Sequence, residues 1–127
     1  MIRFFLLALC FLSLSPEKAF ALSEAQYSAA HLMNGGSFSN NPEKLTLGVD
    51  VGLAEGWKTY WRMPGDAGLA PDFNWAGSTN LKSTNILWPV PKRFVLLDLD
   101  NIGYHDRVVF PVEIERIDPS QTTDMLW

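Results

Sequence analysis

Leu45-Thr46-Leu47-Gly48-Val49-Asp50-Val51-Gly52-Leu53 decides how this chain is read, because apolar residues hold every second position and Thr, Gly or Asp fills the gaps. A period of two over such a length marks a strand with one face buried and the other wet. Val108-Val109-Phe110-Pro111-Val112-Glu113-Ile114-Glu115 repeats the pattern. Pro111 has no amide proton to give to a ladder, so this second strand is expected at a sheet edge or at a bulge.

Outward from these two runs, shorter extended segments are expected at residues 27–33, 57–62, 72–75, 85–88 and 94–97, each bounded by Gly, Pro, Asn or Ser. Between them lie turn-forming stretches such as Asn34-Gly35-Gly36, Glu55-Gly56, Pro64-Gly65-Asp66-Ala67-Gly68 and Pro89-Val90-Pro91. No segment keeps a helical period for three turns. Strands at this spacing predict an all-β sandwich. Without a repeat, a low-complexity tract or a linker, one domain is the simplest partition. Its core is expected to include Leu47, Val49, Val51, Trp57, Trp61, Trp75, Phe110 and Val112, with Trp57 and Trp61 on one face of a strand.

The beginning of the chain reads differently. Arg3 precedes the apolar run from Phe4 to Leu12, and Ala19-Phe20-Ala21 follows Pro16, the three-part layout of a secretory signal peptide. The run is too short for a membrane span, which needs about 20 apolar residues. Cleavage is expected after Ala21, leaving residues 22–127 as the exported domain with no membrane span. Leu9 before Cys10 disfavours a lipoprotein. Removing residues 1–21 takes away Cys10, the single cysteine of the 127-residue chain. A formal net charge of -4 opposes any electrostatic hold on nucleic acid.

Few residues offer chemistry. His31 and His105 are the two histidines, and without mature cysteine they supply too few ligands for structural zinc. Asp98-Leu99-Asp100-Asn101 resembles the start of a calcium loop, but Ile102 and Val109 stand where ligands are needed, so a solvated loop is expected. Glu113 and Glu115 share one strand face and read as a solvent-facing row. No Gly-x-Ser-x-Gly elbow is present. The residues thus predict neither metal nor cofactor. Exposed aromatics leave carbohydrate binding open as an alternative.

Gly56-Trp57-Lys58-Thr59-Tyr60-Trp61-Arg62-Met63-Pro64-Gly65-Asp66-Ala67-Gly68 is more specific than any of these features. It is followed by Pro71-Asp72-Phe73-Asn74-Trp75, Trp88-Pro89-Val90-Pro91-Lys92-Arg93-Phe94, Ile102-Gly103-Tyr104 and Val109-Phe110-Pro111-Val112. Together these resemble the N-terminal periplasmic domain of the DsbD-type protein-disulfide reductases over residues 27–118. The resemblance implies an immunoglobulin-like sandwich in the periplasm. It also implies an electron relay between a DsbD-like membrane reductase and periplasmic thiol-disulfide proteins, including those of cytochrome c maturation.

In that family the chemistry rests on a cysteine pair in a hairpin that would follow Thr123 here. By resemblance the domain is therefore expected to be C-terminally incomplete and inactive alone, as a degenerate relay domain or a non-catalytic docking module. Tyr60, Trp61 and Phe94 resemble the residues that shield the cysteines. A sandwich short of its last strands is further expected to self-associate, or to accept a peptide, through an open sheet edge.

Overall fold

The computed structural model describes residues 22–25, 27–35 and 40–126. The expected leader, its expected cleavage point and Cys10 lie outside them. Eight strands follow in order: β1 (Leu22–Ala25), β2 (Ser28–Asn34), β3 (Lys44–Leu53), β4 (Lys58–Gly65), β5 (Leu81–Ile86), β6 (Lys92–Leu96), β7 (Leu99–His105) and β8 (Arg107–Arg116). They form a five-stranded sheet, β1-β2-β3-β8-β5, and a three-stranded sheet, β4-β7-β6. Every pairing is antiparallel. The architecture is an immunoglobulin-like β-sandwich.

The two alternating runs pair directly, as β3 and β8. Leu47 lies opposite Val112, Val49 opposite Phe110 and Val51 opposite Val108, so both apolar rows share one face. That face is the core: Val49, Val108, Phe110, Val112 and Ile114 are buried, together with Tyr104 from β7. Around Phe110 the aromatics meet edge to face, with Phe73 at 5.3 Å, Trp88 at 5.4 Å and Tyr104 at 5.3 Å between ring centroids. This arrangement sets ring edges against ring faces and fills the space between the sheets.

Three expectations need correction. Pro111 is neither at an edge nor at a bulge, since β8 lies between β3 and β5 and Pro111 sits opposite Gly48 in an unbroken register. Its carbonyl accepts the Leu87 N–H at 2.8 Å, beyond the last residue of β5. In an antiparallel strand the nitrogen of the same residue turns the same way, so the missing donor falls where β5 has already ended. Trp57 is not in the core. It precedes β4, is 48% exposed, and stacks on Tyr27 at 3.9 Å with rings 7° from parallel. Residues 72–75 form no strand, although Phe73 and Trp75 do pack against the core.

The segment after β8 is tied down by one side chain. Asn80, at φ 55°, donates from Nδ2 to the carbonyls of Asp118 (2.8 Å) and Gln121 (3.1 Å), while its Oδ1 accepts the Asp118 N–H at 2.8 Å. Thr79 then bridges to Asp124, which brings Met125 against the core.

Candidate functional site

Successive residues of a strand point to opposite faces, and β4 uses this to separate two of the expected site residues. Trp61 turns inward and packs against the core. The Arg62 guanidinium lies over its ring at 4.7 Å, and its indole N–H is buried without a hydrogen-bond partner among the described residues. Tyr60 turns outward, onto the face of the three-stranded sheet that looks away from the core. Phe94, on β6, reaches the same outer face, with ring centroids 6.1 Å apart and 39° between planes. The structure thus brings Tyr60 and Phe94 together and sets Trp61 on the other side of the strand.

The two rings meet because the strand between them is cut down. Gly103 of β7 lies opposite Tyr60 on one side and Lys92 on the other, and it has no room for a β-carbon, which would run into the Thr59 carbonyl oxygen. Asn101, two residues earlier on the same face, is 1% exposed. Its Oδ1 accepts the Ala67 N–H at 3.2 Å and its Nδ2 donates to the Leu99 carbonyl at 2.9 Å, so the burial leaves neither end of the amide unpaired. The Ala67 bond, with the Asp66 N–H donated to the Asp100 carbonyl at 2.8 Å, holds the loop of Gly65 to Gly68 over the sheet. Gly68, at φ 97°, presses its backbone on the Tyr60 ring. Lys58 closes the other side, its Nζ 5.4 Å from the Phe94 centroid. A shallow cavity of about 310 Å³ lies between Gly56, Trp57, Lys58, Tyr60 and Leu96.

This platform is aromatic and cationic, suited to holding an apolar surface and an adjacent carboxylate. It holds no thiol. The other candidates are dispersed. Asp98 is in the tight turn after β6, and Asp100 pairs with Arg93 through bonds of 3.0 and 2.5 Å, which holds its carboxyl below the ordinary range. Asp98 to Gly103, expected as a loop, runs instead from that turn into β7. No group of acidic, His or Cys side chains fit for a metal occurs among the described residues. Glu113 and Glu115 are taken up by Asn85, Lys82 and Ser83 of the neighbouring strand. His105 pairs with Asp106 at 2.7 Å, and His31 is on a different sheet.

Sequence reasoning missed Gly103, Asn101 and Gly68 as parts of the site. The Pro64-Gly65-Asp66-Ala67-Gly68 stretch marked a turn, but nothing in it told which ring the turn would cover.

A model of the family described as "Thiol:disulfide interchange protein DsbD, N-terminal" matches residues 29–125. No curated protein matches the chain. Among solved structures, the chain is similar to the N-terminal periplasmic domain of ScsB from Proteus mirabilis, with 29% identity and a TM-score of 0.64. The likeness covers 78% of this chain and 39% of that one, so this chain spans about two fifths of the ScsB domain. With the family model matching residues 29–125, the chain belongs to the DsbD N-terminal domain family of thiol-disulfide interchange proteins.

Proposed function

We propose that this chain is an exported, periplasmic docking domain of thiol-disulfide exchange, which receives redox partners on the outer face around Tyr60 and Phe94 and takes no covalent part itself. The observation that carries this reading is the position of that pair. Two large rings sit on the outer side of a sheet, set over Gly103 and Asn101 and flanked by the loop of Gly68, where burial in the core cannot account for them.

Exchange requires a thiolate to attack one sulfur of a disulfide, forming a mixed disulfide and expelling the second sulfur as a thiolate. The one cysteine of these 127 residues is Cys10, within the segment read as a leader. Both reacting thiols therefore lie outside residues 22–127, as in a periplasmic thioredoxin-like domain or the membrane reductase. The role left to this face is orientation: apolar rings exclude water beside the reacting sulfurs, and Lys58 favours a partner with a carboxylate at its rim. Trp61 supports the platform from the core side rather than touching the partner.

Titration calorimetry of residues 22–127 against a periplasmic thioredoxin-like domain tests the docking. Tyr60→Ala and Phe94→Ala should each weaken binding at least about tenfold, as expected for aromatic anchors at an interface centre. Insulin reduction by the same protein with a reductant should match the blank. Unchanged affinity in both variants sinks the docking face, and a rate above the blank sinks the non-catalytic reading.

A further inference from the structure

A sandwich leaves sheet edges, and proteins blunt them by shortening them, by bulges, by Pro or by charge. The four edges here differ in how they are treated. β1 is four residues long. β4 carries Pro64 and loses register with β7 between Tyr60 and Gly65. β5 shifts register between Leu81 and Ser83 and carries Lys82 at the shift. β6 is different. Lys92 to Leu96 pair with Gly103 to Leu99 without a break, no Pro interrupts the strand, and no second strand flanks it among the described residues. Val95 and Leu96 on this edge are 65% and 44% exposed.

The backbone groups that β6 leaves free follow from the hairpin. Leu97 and Asp98, with φ of 53° and 62°, form a two-residue turn closed by the Leu96–Leu99 pair. In such a hairpin the closing pair is hydrogen-bonded, and the bonded pairs alternate from there. Leu96, Phe94 and Lys92 therefore face β7, and the N–H and C=O groups of Arg93 and Val95 point outward. The Asp100 carbonyl agrees, since it turns away from Val95 and accepts the Asp66 N–H at 2.8 Å.

We propose that the free edge of β6 pairs antiparallel with β6 of a second copy of this chain, about a two-fold axis through Phe94. The side-chain pattern selects both the occupant and the register. With the axis at Phe94, Arg93 of each copy lies opposite Val95 of the other, and both outward-facing residues exchange their full set of main-chain bonds. Lys92 lies opposite Leu96, so no like charges meet directly, and the positive charge of Arg93 is already balanced by Asp100 in its own chain. An axis at Arg93 would set two guanidinium groups face to face, which is destabilising. An axis at Val95 would draw Leu97, a turn residue, into the ladder. The Phe94 axis joins the two three-stranded sheets into one and puts both Phe94 rings side by side in a non-bonded pair, where side chains approach most closely. Phe94 is common to this edge and to the proposed docking face, but Tyr60→Ala disturbs the docking alone and Val95→Pro the pairing alone, so either can fail without the other.

Sedimentation equilibrium on residues 22–127 from micromolar to millimolar concentration should give a mass approaching twice that of the monomer. Val95→Pro removes an outward N–H that no internal bond uses, and should return the monomer at every concentration. Val95→Lys should do the same by charge if the proline variant folds poorly. Val90→Lys, at a residue 93% exposed but off the edge, should leave the dimer intact. In residues 22–127, which lack Cys10, Phe94→Cys should cross-link on oxidation and Arg93→Cys should not, because Cα atoms at the axis fall within disulfide reach. A monomer throughout, including one that binds an extended peptide at β6 instead, overturns the proposal. So does a dimer that survives both Val95 variants, or faster cross-linking at position 93 than at 94.

Discussion

The Tyr60 ring lies directly against the backbone of Gly68, with no space between them for a β-carbon. Gly68 also holds φ at 97°, a conformation that side chains rarely adopt. The turn and the outer-face platform are thus one unit: the glycine lets the loop fold close enough to fix the tyrosine. Gly68→Ala should cost about 1–3 kcal/mol through the strained backbone alone. It should also push the Tyr60 ring away from Phe94. Denaturant unfolding reads the first effect, and weakened partner binding by the residual folded protein reads the second. Stability within about 0.5 kcal/mol of the parent would count against this packing.

Trp57 and Phe110 provide a comparison of a surface stack with a core ring. Phe110 is fully buried and touches Phe73, Trp88 and Tyr104 edge to face, whereas Trp57 is half exposed and rests on Tyr27. Phe110→Ala should destabilise by about 3–5 kcal/mol. Trp57→Ala should lose the ring pair and a part of its burial, about 0.5–1.5 kcal/mol. Equal losses in chemical denaturation would mean that Trp57 belongs to the core after all.

The parts of the fold legible in the sequence are those where one face of a strand is buried. The alternation of Leu45 to Leu53 and of Val108 to Glu115 marked β3 and β8 because each repeats apolar and polar residues in step with the pleat. β7 was hidden because Asp100 and Asn101 read as loop residues. Asn101 is buried with the loop after Pro64 folded over it and donating to its amide oxygen, a contact across distant positions that periodicity cannot report. Pro111 misled for a related reason, since its position in the sheet is excused by where β5 stops. Family resemblance named Tyr60, Trp61 and Phe94 together, and the structure sets Tyr60 beside Phe94 with Trp61 on the other side of the strand. The separation of Tyr60 from Trp61 follows from strand alternation once β4 is placed.

Asp50 and Arg107 link β3 to the start of β8 by two bonds, Nε to Oδ1 at 2.8 Å and Nη2 to Oδ2 at 2.7 Å. The Arg107 hydrogen bond is the main cause that holds the Asp50 carboxyl below its ordinary value of 3.8. A pKa lower in the folded than in the unfolded state gives stability that is fully present above the unfolded value. That part is lost as pH falls through the folded value. Asp50 is 15% exposed but its partner is 64% exposed, so solvent screens the pair and its worth is limited to about 0.5–1 kcal/mol. Asp50→Asn should therefore lower stability at neutral pH by that amount and make the loss below about pH 4 less steep. Identical pH profiles for parent and variant would show that the bond does not form in solution.

The turn joining β6 to β7 places Leu97 and Asp98 at φ 53° and 62° with Leu97 86% exposed, so a bulky apolar side chain holds a left-handed conformation while burying almost nothing. For an ordinary side chain that conformation costs roughly 1–2 kcal/mol. Two-residue turns of this kind prefer Asn followed by Gly, which enter the left-handed region readily. If Leu97 served folding alone, the arrangement would be wasteful; exposed on a strained tip beside the Phe94 platform, it fits a residue kept for contact with another molecule. Leu97→Asn with Asp98→Gly should raise stability by about 1 kcal/mol, or about 4–8 °C in Tm for a domain of this size. The same variant should bind the thioredoxin-like partner more weakly, while its β6 edge and hence its self-association stay unchanged. A variant that is more stable and binds as well as the parent would restrict docking to Tyr60 and Phe94. A fall in stability would mean that Leu97 buries more in solution than its exposure indicates.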